Sequence, residues 1–395
     1  MRPPSNAPET SPADNPAAGK LDVINGLRGA AIVAVVWHHL FGLYFKAGSV
    51  LALAPAVTDG LFFLSYGWIG VQLFFVLSGF VLYLPFARGR ATMDTAADWR
   101  SFYRRRAGRL LPLYYLAALL CLVLNQVPPV HDLRLPLELI SIAGALFAFA
   151  PHGFQPHLNP PLWSLGVEIW FSILFPLMVL AFRRWGMVRT ILATTALSLV
   201  SRTLGLAPAQ PIQPLTMGLT ANLEIFAVGM ALAQAYVAGI RVRWPRLVTL
   251  GGALFLALSV VAGERLGRWI QVPFSDLLAL GFAAIVAGLL SLERGWLRAA
   301  FANRPIQVLG MMCFSLYVWH EPLLRNLFQA DAAPLDDLAR TLPIYLFLLL
   351  AVAALSYRFV EFGRSANWRA LFLLDRPPVP VVVPTLPVTH DTDLG

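Results

Sequence analysis

Arg28 and His39 stand eleven residues apart in the stretch LDVINGLRGAAIVAVVWHHLFGLYF (21–45), which is apolar enough to cross a membrane. At about 100° per residue that spacing closes to about 20° after three turns. Both residues then share one helix face, roughly 16 Å apart along the axis. His38 points about 100° away from that face. A charge at the centre of a bilayer costs about 2.5–3.5 kcal/mol on insertion scales, so such groups face a protein interior or a wet cavity. The stretch therefore reads as Arg28 near the cytoplasmic end and His39 deeper, both looking into one cavity. A structural histidine pair against a neighbouring helix is the competing reading, and the intramembrane arginine argues for function. Imidazole titrates near neutrality and suits removal of a proton from a hydroxyl. A guanidinium beside it suits an anion or a developing negative charge.

Further polar groups recur in other apolar runs. In FYRRRAGRLLPLYY (102–115), Arg106 and Arg109 lie three apart and Arg105 and Arg109 four apart, so they are neighbours on a helix surface. Arg104 fits simple anchoring at the cytoplasmic face. Arg109 has entered the apolar run and needs a partner or an anionic ligand. Guanidinium forks suit phosphates, so Arg105, Arg106 and Arg109 could hold a nucleotide-bearing donor; anchoring explains them equally well. In LWSLGVEIWFSILFP (162–176), Ser164 and Glu168 are one turn apart on one face, beside Trp163. In FSLYVWHEPLL (314–324), Tyr317 and His320 share a face, and Pro322 opens the helix by removing a backbone donor. YGWIGVQLFFVLSGFVLY (66–83) carries Gln72 with Ser78 and Gly79 and reads mainly as close helix packing. Glu224 is a further acid in an apolar run, and Tyr357, Arg358 and Glu361 approach the inner end of the last span. By rise per residue, His39, Glu168 and His320 fall at or beyond the midplane and the arginines in the inner leaflet. The pattern is a basic entrance below an acid/base cluster.

These groups need a frame of membrane helices, and composition supplies one. Of 395 residues, 58% are hydrophobic and 13% charged, about half the charge of a soluble domain. The mean hydropathy is +0.67. The net charge of +9 is explained by Lys and Arg holding loops on the cytoplasmic side, not by nucleic acid. Two cysteines, Cys121 and Cys313, lie in apolar runs and give neither a disulfide framework nor a metal spacing. No bound cofactor and no metal site is expected. Apolar runs over about 22–45, 66–87, 106–126, 163–182, 187–206, 217–238, 246–263, 274–292, 306–328 and 339–361 predict an all-α integral membrane bundle of about ten helices. Residues 136–150 are short for a span. Leaving them uncrossed places most Lys and Arg on one side, with both termini cytoplasmic, and makes this stretch a re-entrant or interfacial helix. Residues 1–20 read as a disordered tail and not a cleaved signal peptide. Residues 21–365 read as one transmembrane domain, and 366–395 as a Pro-rich cytoplasmic tail.

Taken in order, the motifs resemble those of the acyltransferase-3 family of membrane O-acyltransferases. GLRGAAIVAVVWHH resembles its Arg-x10-His segment, covering Arg28 and His39. GVQLFFVLSGF resembles its second helix, with Gln72 where an acid often stands. RRRAGRLLPLYY resembles its basic third helix, covering Arg105, Arg106 and Arg109. LWSLGVEIWF resembles Trp-Ser-Leu-x3-Glu, covering Trp163, Ser164 and Glu168. SLYVWHEPL resembles the late segment that gives Tyr317 and His320. YRFVEFGRS resembles the closing Tyr-Arg-x-x-Glu segment, without the proline that often follows. The resemblance spans about residues 21–365. It implies a multi-pass protein of the inner (plasma) membrane that moves an acyl group, commonly acetyl, from a cytoplasmic acyl-CoA (acetyl-CoA) donor to a hydroxyl of a carbohydrate or secondary metabolite. His39 would be general base or acyl carrier, Arg28 would hold the donor or the developing charge, and Glu168 would orient His39 or the acceptor. Trp163, Tyr317, His320 and Gln72 would line the acceptor side. The extracellular esterase-like domain fused to some members is expected to be missing. A transporter of small carboxylates is the alternative, against which no internal repeat is visible.

Overall fold

The computed structural model describes residues 16–45, 62–124, 134–150, 155–327, 335–362 and 368–374. All regular structure among the described residues is helical. The first helix, α1 (Pro16–Phe45), begins five residues inside the expected tail. Residues 1–15 and most of the expected C-terminal tail lie outside the described residues. A 3-10 stretch, Phe62–Ile69, leads into α2 (Gly70–Ala87). Then follow α3 (Ala96–Leu124), α4 (Arg134–Ala143), α5 (Leu162–Trp185), α6 (Met187–Leu206), the short α7 (Gln213–Met217) and α8 (Leu223–Val237). The chain continues through α9 (Pro245–Arg265), α10 (Gln271–Ser291), α11 (Trp296–Ala302), α12 (Arg304–Met311), α13 (Cys313–Leu327) and α14 (Leu335–Ser356). A π-helical turn, Tyr357–Glu361, ends α14, and α15 (Trp368–Leu371) follows.

Eight helices among the described residues are long and apolar enough to cross a membrane. The expected spans at 187–206 and 306–328 are helical too, but differ in character. In α6 the buried face carries Thr190, Thr194, Ser198, Ser201 and Arg202, which lowers its hydropathy. Arg202 is 1% exposed and pairs with Glu224 of α8 at 2.6 Å and with Asp276 of α10. It also donates to the Ala221 carbonyl at 2.6 Å. This helix is thus held among its neighbours by charge. The 306–328 run is two helices that meet at Met312, and Asn303 caps the first by accepting from the Ile306 amide at 3.1 Å. The 136–150 stretch holds no helix long enough to cross a membrane. Ten residues of α4 rise about 15 Å, half the hydrocarbon thickness. The hydroxyls of Tyr114 and Tyr115 on α3 tie it down by donating to the Ile142 and Ala143 carbonyls.

Glycines set the closest helix contacts. A Cβ on Gly26 would lie 1.7 Å from the Phe301 carbonyl oxygen, and one on Gly310 would lie 1.7 Å from that of Asn25. Helix α1 therefore rests backbone to backbone on α11 and α12, in the small-residue packing that apolar surroundings favour. That contact fixes Arg28, two residues after Gly26, beside Cys313 at the start of α13.

Candidate functional site

A cavity of about 260 Å³ opens among α1, α2, α3, α5 and α13. Its polar lining is Arg28, Arg105, Arg106, Arg109, Glu168 and Ser164, with Ser78, Cys313 and Tyr317 beside them. Phe74, Phe75 and Phe102 supply much of its apolar wall. Four guanidinium groups against one carboxylate make the lining strongly cationic. Arg104 points away and is exposed, so the RRRAGR run divides as helical spacing requires.

The charges are held in a definite order. Arg106 Nη2 donates to Glu168 Oε1 at 2.9 Å, and its Nε and Nη2 reach Ser172 Oγ at 3.2 and 3.1 Å. Ser78 Oγ donates to the same Glu168 oxygen at 3.2 Å. Arg28 faces Cys313, Glu168 and Glu361. Glu361 accepts from Ser315 Oγ at 2.5 Å, and the π-helical turn carries it there. Arg109 has Arg28, Arg106 and Glu361 as charged neighbours and makes no ion pair among the described residues. Arg28 and Arg105, which also line the cavity, make none either, and all three keep attraction for an anionic ligand.

Tyr317 closes the far end of the cavity. Its hydroxyl lies 2.6 Å from Ser164 Oγ, and its ring packs edge-on against Phe74. Behind it stands a second cluster. The Tyr317 and His320 ring centroids are 5.3 Å apart, and His320 and His39 are 4.8 Å apart. His39 Nδ1 is 3.4 Å from Glu321 Oε2, and Arg325 holds the other Glu321 oxygen at 2.6 Å. His39 retains 31% side-chain exposure while His320 has none.

Local backbone chemistry joins the two clusters. Pro322 lacks an N–H and cannot donate to the Val318 carbonyl one turn back. Asn159 Nδ2 fills that vacancy with a bond of 3.1 Å. Asn159 immediately precedes Pro160 and Pro161, which open α5, and Ser164 donates back to Pro161 O at 3.2 Å. The broken turn of α13 thereby receives the start of α5, and Ser164 arrives at Tyr317.

Sequence reasoning placed Arg28 and His39 in one cavity, but only Arg28 lines it. His39 lies beyond Tyr317, 16 Å along α1 by helical rise. Glu168, expected in the outer half near His39, sits among the arginines, and Glu321 is the carboxylate beside the histidine. Arg105, Arg106, Arg109, Ser164 and Tyr317 come together, and His320 joins His39. Gln72 is buried outside the cavity with its Oε1 lacking a hydrogen bond, and Trp163 packs on the core. The residues missed were Glu321, Asn159, Cys313, Ser78 and Ser172. A proline that orphans a carbonyl was the available signal for Asn159.

Residues 21–360 match the profile of the acyltransferase-3 family, described as an acyltransferase domain. The chain is 22% identical to the O-acetyltransferase OatA of Staphylococcus aureus over 373 residues, covering 86% of this chain and 56% of that protein. It is 22% identical to the peptidoglycan O-acetyltransferase OatA of Listeria monocytogenes over 362 residues, covering 86% and 54%. The chain thus spans about half the length of the curated relatives it matches. No solved structure matches it. The extent of the profile match shows that the chain belongs to the acyltransferase-3 family.

Proposed function

We propose that this protein is a membrane O-acyltransferase that moves an acyl group, acetyl in the simplest case, from an acyl-CoA donor to a hydroxyl of a glycan. The carrying observation is the cationic cavity closed by Tyr317, with the histidine cluster directly behind it. The relatives' names point to O-acetyl transfer, in one case to peptidoglycan. The donor's phosphates would meet Arg105 at the exposed mouth and Arg109 within, since guanidinium pairs well with phosphate oxygens. The cavity is too small for the whole donor and suits its slender thioester arm. Arg106 is already engaged by Glu168 and fixes that wall. The N-terminal side of the bundle would face the cytoplasm, in the inner membrane.

Transfer then requires the acceptor oxygen to attack the thioester carbonyl carbon. His39, with Glu321 Oε2 3.4 Å from its Nδ1, would take the hydroxyl proton on its other nitrogen. The carbon–sulfur bond breaks, and the thiolate leaves with that proton as coenzyme A. Ser164 and Tyr317, hydrogen-bonded to each other, stand where they can donate to the developing oxyanion once that bond opens. Removing the Tyr317 hydroxyl as Phe should lower kcat more than it changes donor binding.

Purified protein given acetyl-CoA should release coenzyme A only when a hydroxyl acceptor such as a muropeptide is present. Release that ignores the acceptor, or pH-dependent carboxylate flux without release, would sink the transferase reading in favour of hydrolysis or transport. Mass spectrometry of the glycan from cells with and without the protein would identify the acceptor.

A further inference from the structure

We propose that His39, His320 and Glu321 form a binding site for one divalent transition-metal ion of the zinc class. One ligand atom from each residue lies within 4.8 Å of the others. His39 Nδ1 and Glu321 Oε2 are already 3.4 Å apart, which is about the edge of a tetrahedron whose metal bonds are about 2.0–2.1 Å. His320 needs to close the rest of the gap by a side-chain adjustment.

The second observation is the state of the buried atoms. His320 is fully buried, and its Nδ1 lies 2.6 Å from the Tyr317 carbonyl. A carbonyl can only accept, so Nδ1 carries the proton and Nε2 presents a lone pair. That Nε2 has no hydrogen-bond partner, and neither has Glu321 Oε2. A histidine fixed through one nitrogen by a carbonyl, with the other nitrogen bare, is how metal ligands are oriented. Arg325 binds Glu321 Oε1 through Nε at 2.8 Å and Nη2 at 2.6 Å, which turns Oε2 toward the histidines. Two imidazoles and a carboxylate are an established ligand set for zinc that leaves one position open. The exposed side of His39 is where a water or hydroxyl would enter.

Arg325 also sets the expected strength. Its charge offsets that of Glu321, so the site would bind more weakly than an unopposed carboxylate would allow, and its side chain is 53% exposed and free to swing out. The site stands whether or not the transferase reading holds. If His39 is the base, metal on its Nδ1 would keep the proton on the other nitrogen, which could then take none from the hydroxyl, and that clause rests on the reading above.

The test uses full-length protein in detergent, stripped with a chelator and titrated with Co²⁺ and then Zn²⁺, without any substrate. The expected result is one metal per chain, the visible bands of tetrahedral cobalt, and their loss on adding zinc. His39→Ala and Glu321→Gln should each weaken zinc at least about 10-fold, while His38→Ala binds like the parent. Glu321→Gln is nearly isosteric, and matched thermal unfolding would exclude misfolding as the cause. No saturable binding at up to about 100-fold excess metal, or binding unchanged in His39→Ala and Glu321→Gln, would overturn the proposal. Because binding is read without acyl transfer, failure here and failure of the enzyme are separate results.

Discussion

At the residue scale, the arginines separate function from anchoring. Insertion responds to positive charge and not to its shape, so Arg104→Lys, exposed and outside the cavity, should be silent. Arg109→Lys replaces a planar fork with a point charge and should raise the donor KM while the acceptor KM stays near normal. Losing one charge-assisted contact costs about 1.5–3 kcal/mol, or about 10- to 150-fold. Arg106→Lys should behave differently, because its guanidinium spans Glu168 and Ser172 at once; part of its effect should appear in kcat as Glu168 loosens. Donor and acceptor KM for the three variants at matched membrane levels decide this, and parental values for Arg109→Lys would leave only anchoring. His39→Ala should insert and fold yet lose transfer, with His38→Ala losing much less; equal losses at equal expression would end the face argument. Helical spacing made the arginine face and the Ser164–Glu168 pair legible in the sequence. It could not show Glu321, because the partner that gives it meaning, His39, comes from the opposite end of the chain.

At the element scale, α13 is a helix that works because it is broken. Its proline leaves a carbonyl that only a distant side chain satisfies, and Asn159 does so. Asn159→Ala should destabilise the protein by about 1–3 kcal/mol, the cost of a buried unpaired acceptor. In a Pro322→Ala background the restored N–H serves Val318, so the same change should cost much less. Thermal unfolding of the two singles and the double closes that cycle, and additive losses would mean that Asn159 acts elsewhere. The sequence announced the break through Pro322 but not its repair, since a side-chain donor to a backbone carbonyl has no periodicity. The apolar lengths likewise gave the spans, yet not that α6 is retained by polar contacts.

At the scale of the whole molecule, a third polar centre besides the cavity and the histidine cluster, Arg202 with Glu224 and Asp276, holds its helices in place. Arg202 and Glu224 are 1% and 2% exposed at the side chain. Arg202→Met strands two carboxylates and should cost about 3–5 kcal/mol, while the donor KM of the surviving folded protein stays parental. A changed donor KM would mean that this centre communicates with the cavity. Orientation is tested by single cysteines: one at 155–158 should label from outside and one at 241–244 from inside, as the Lys and Arg distribution predicts. Reversed labelling would invert the proposed donor and acceptor sides.

The contact of α1 with α11, α12 and α13 also has a consequence for biosynthesis. Arg28 and His39 leave the ribosome about 280 residues before Cys313 and Glu321. At about 5–20 residues per second, the interval is on the order of 15–60 s. Throughout it the first helix carries an arginine without its final neighbours, at about 2.5–3.5 kcal/mol in the apolar phase. The nascent α1 should therefore sit shallow or exchange with water until the late helices emerge, and an insertase or chaperone has that interval in which to hold it. The candidate site is then complete only once α13 has emerged, and a chain released before it lacks both the α13 wall of the cavity and the His320–Glu321 side of the histidine cluster.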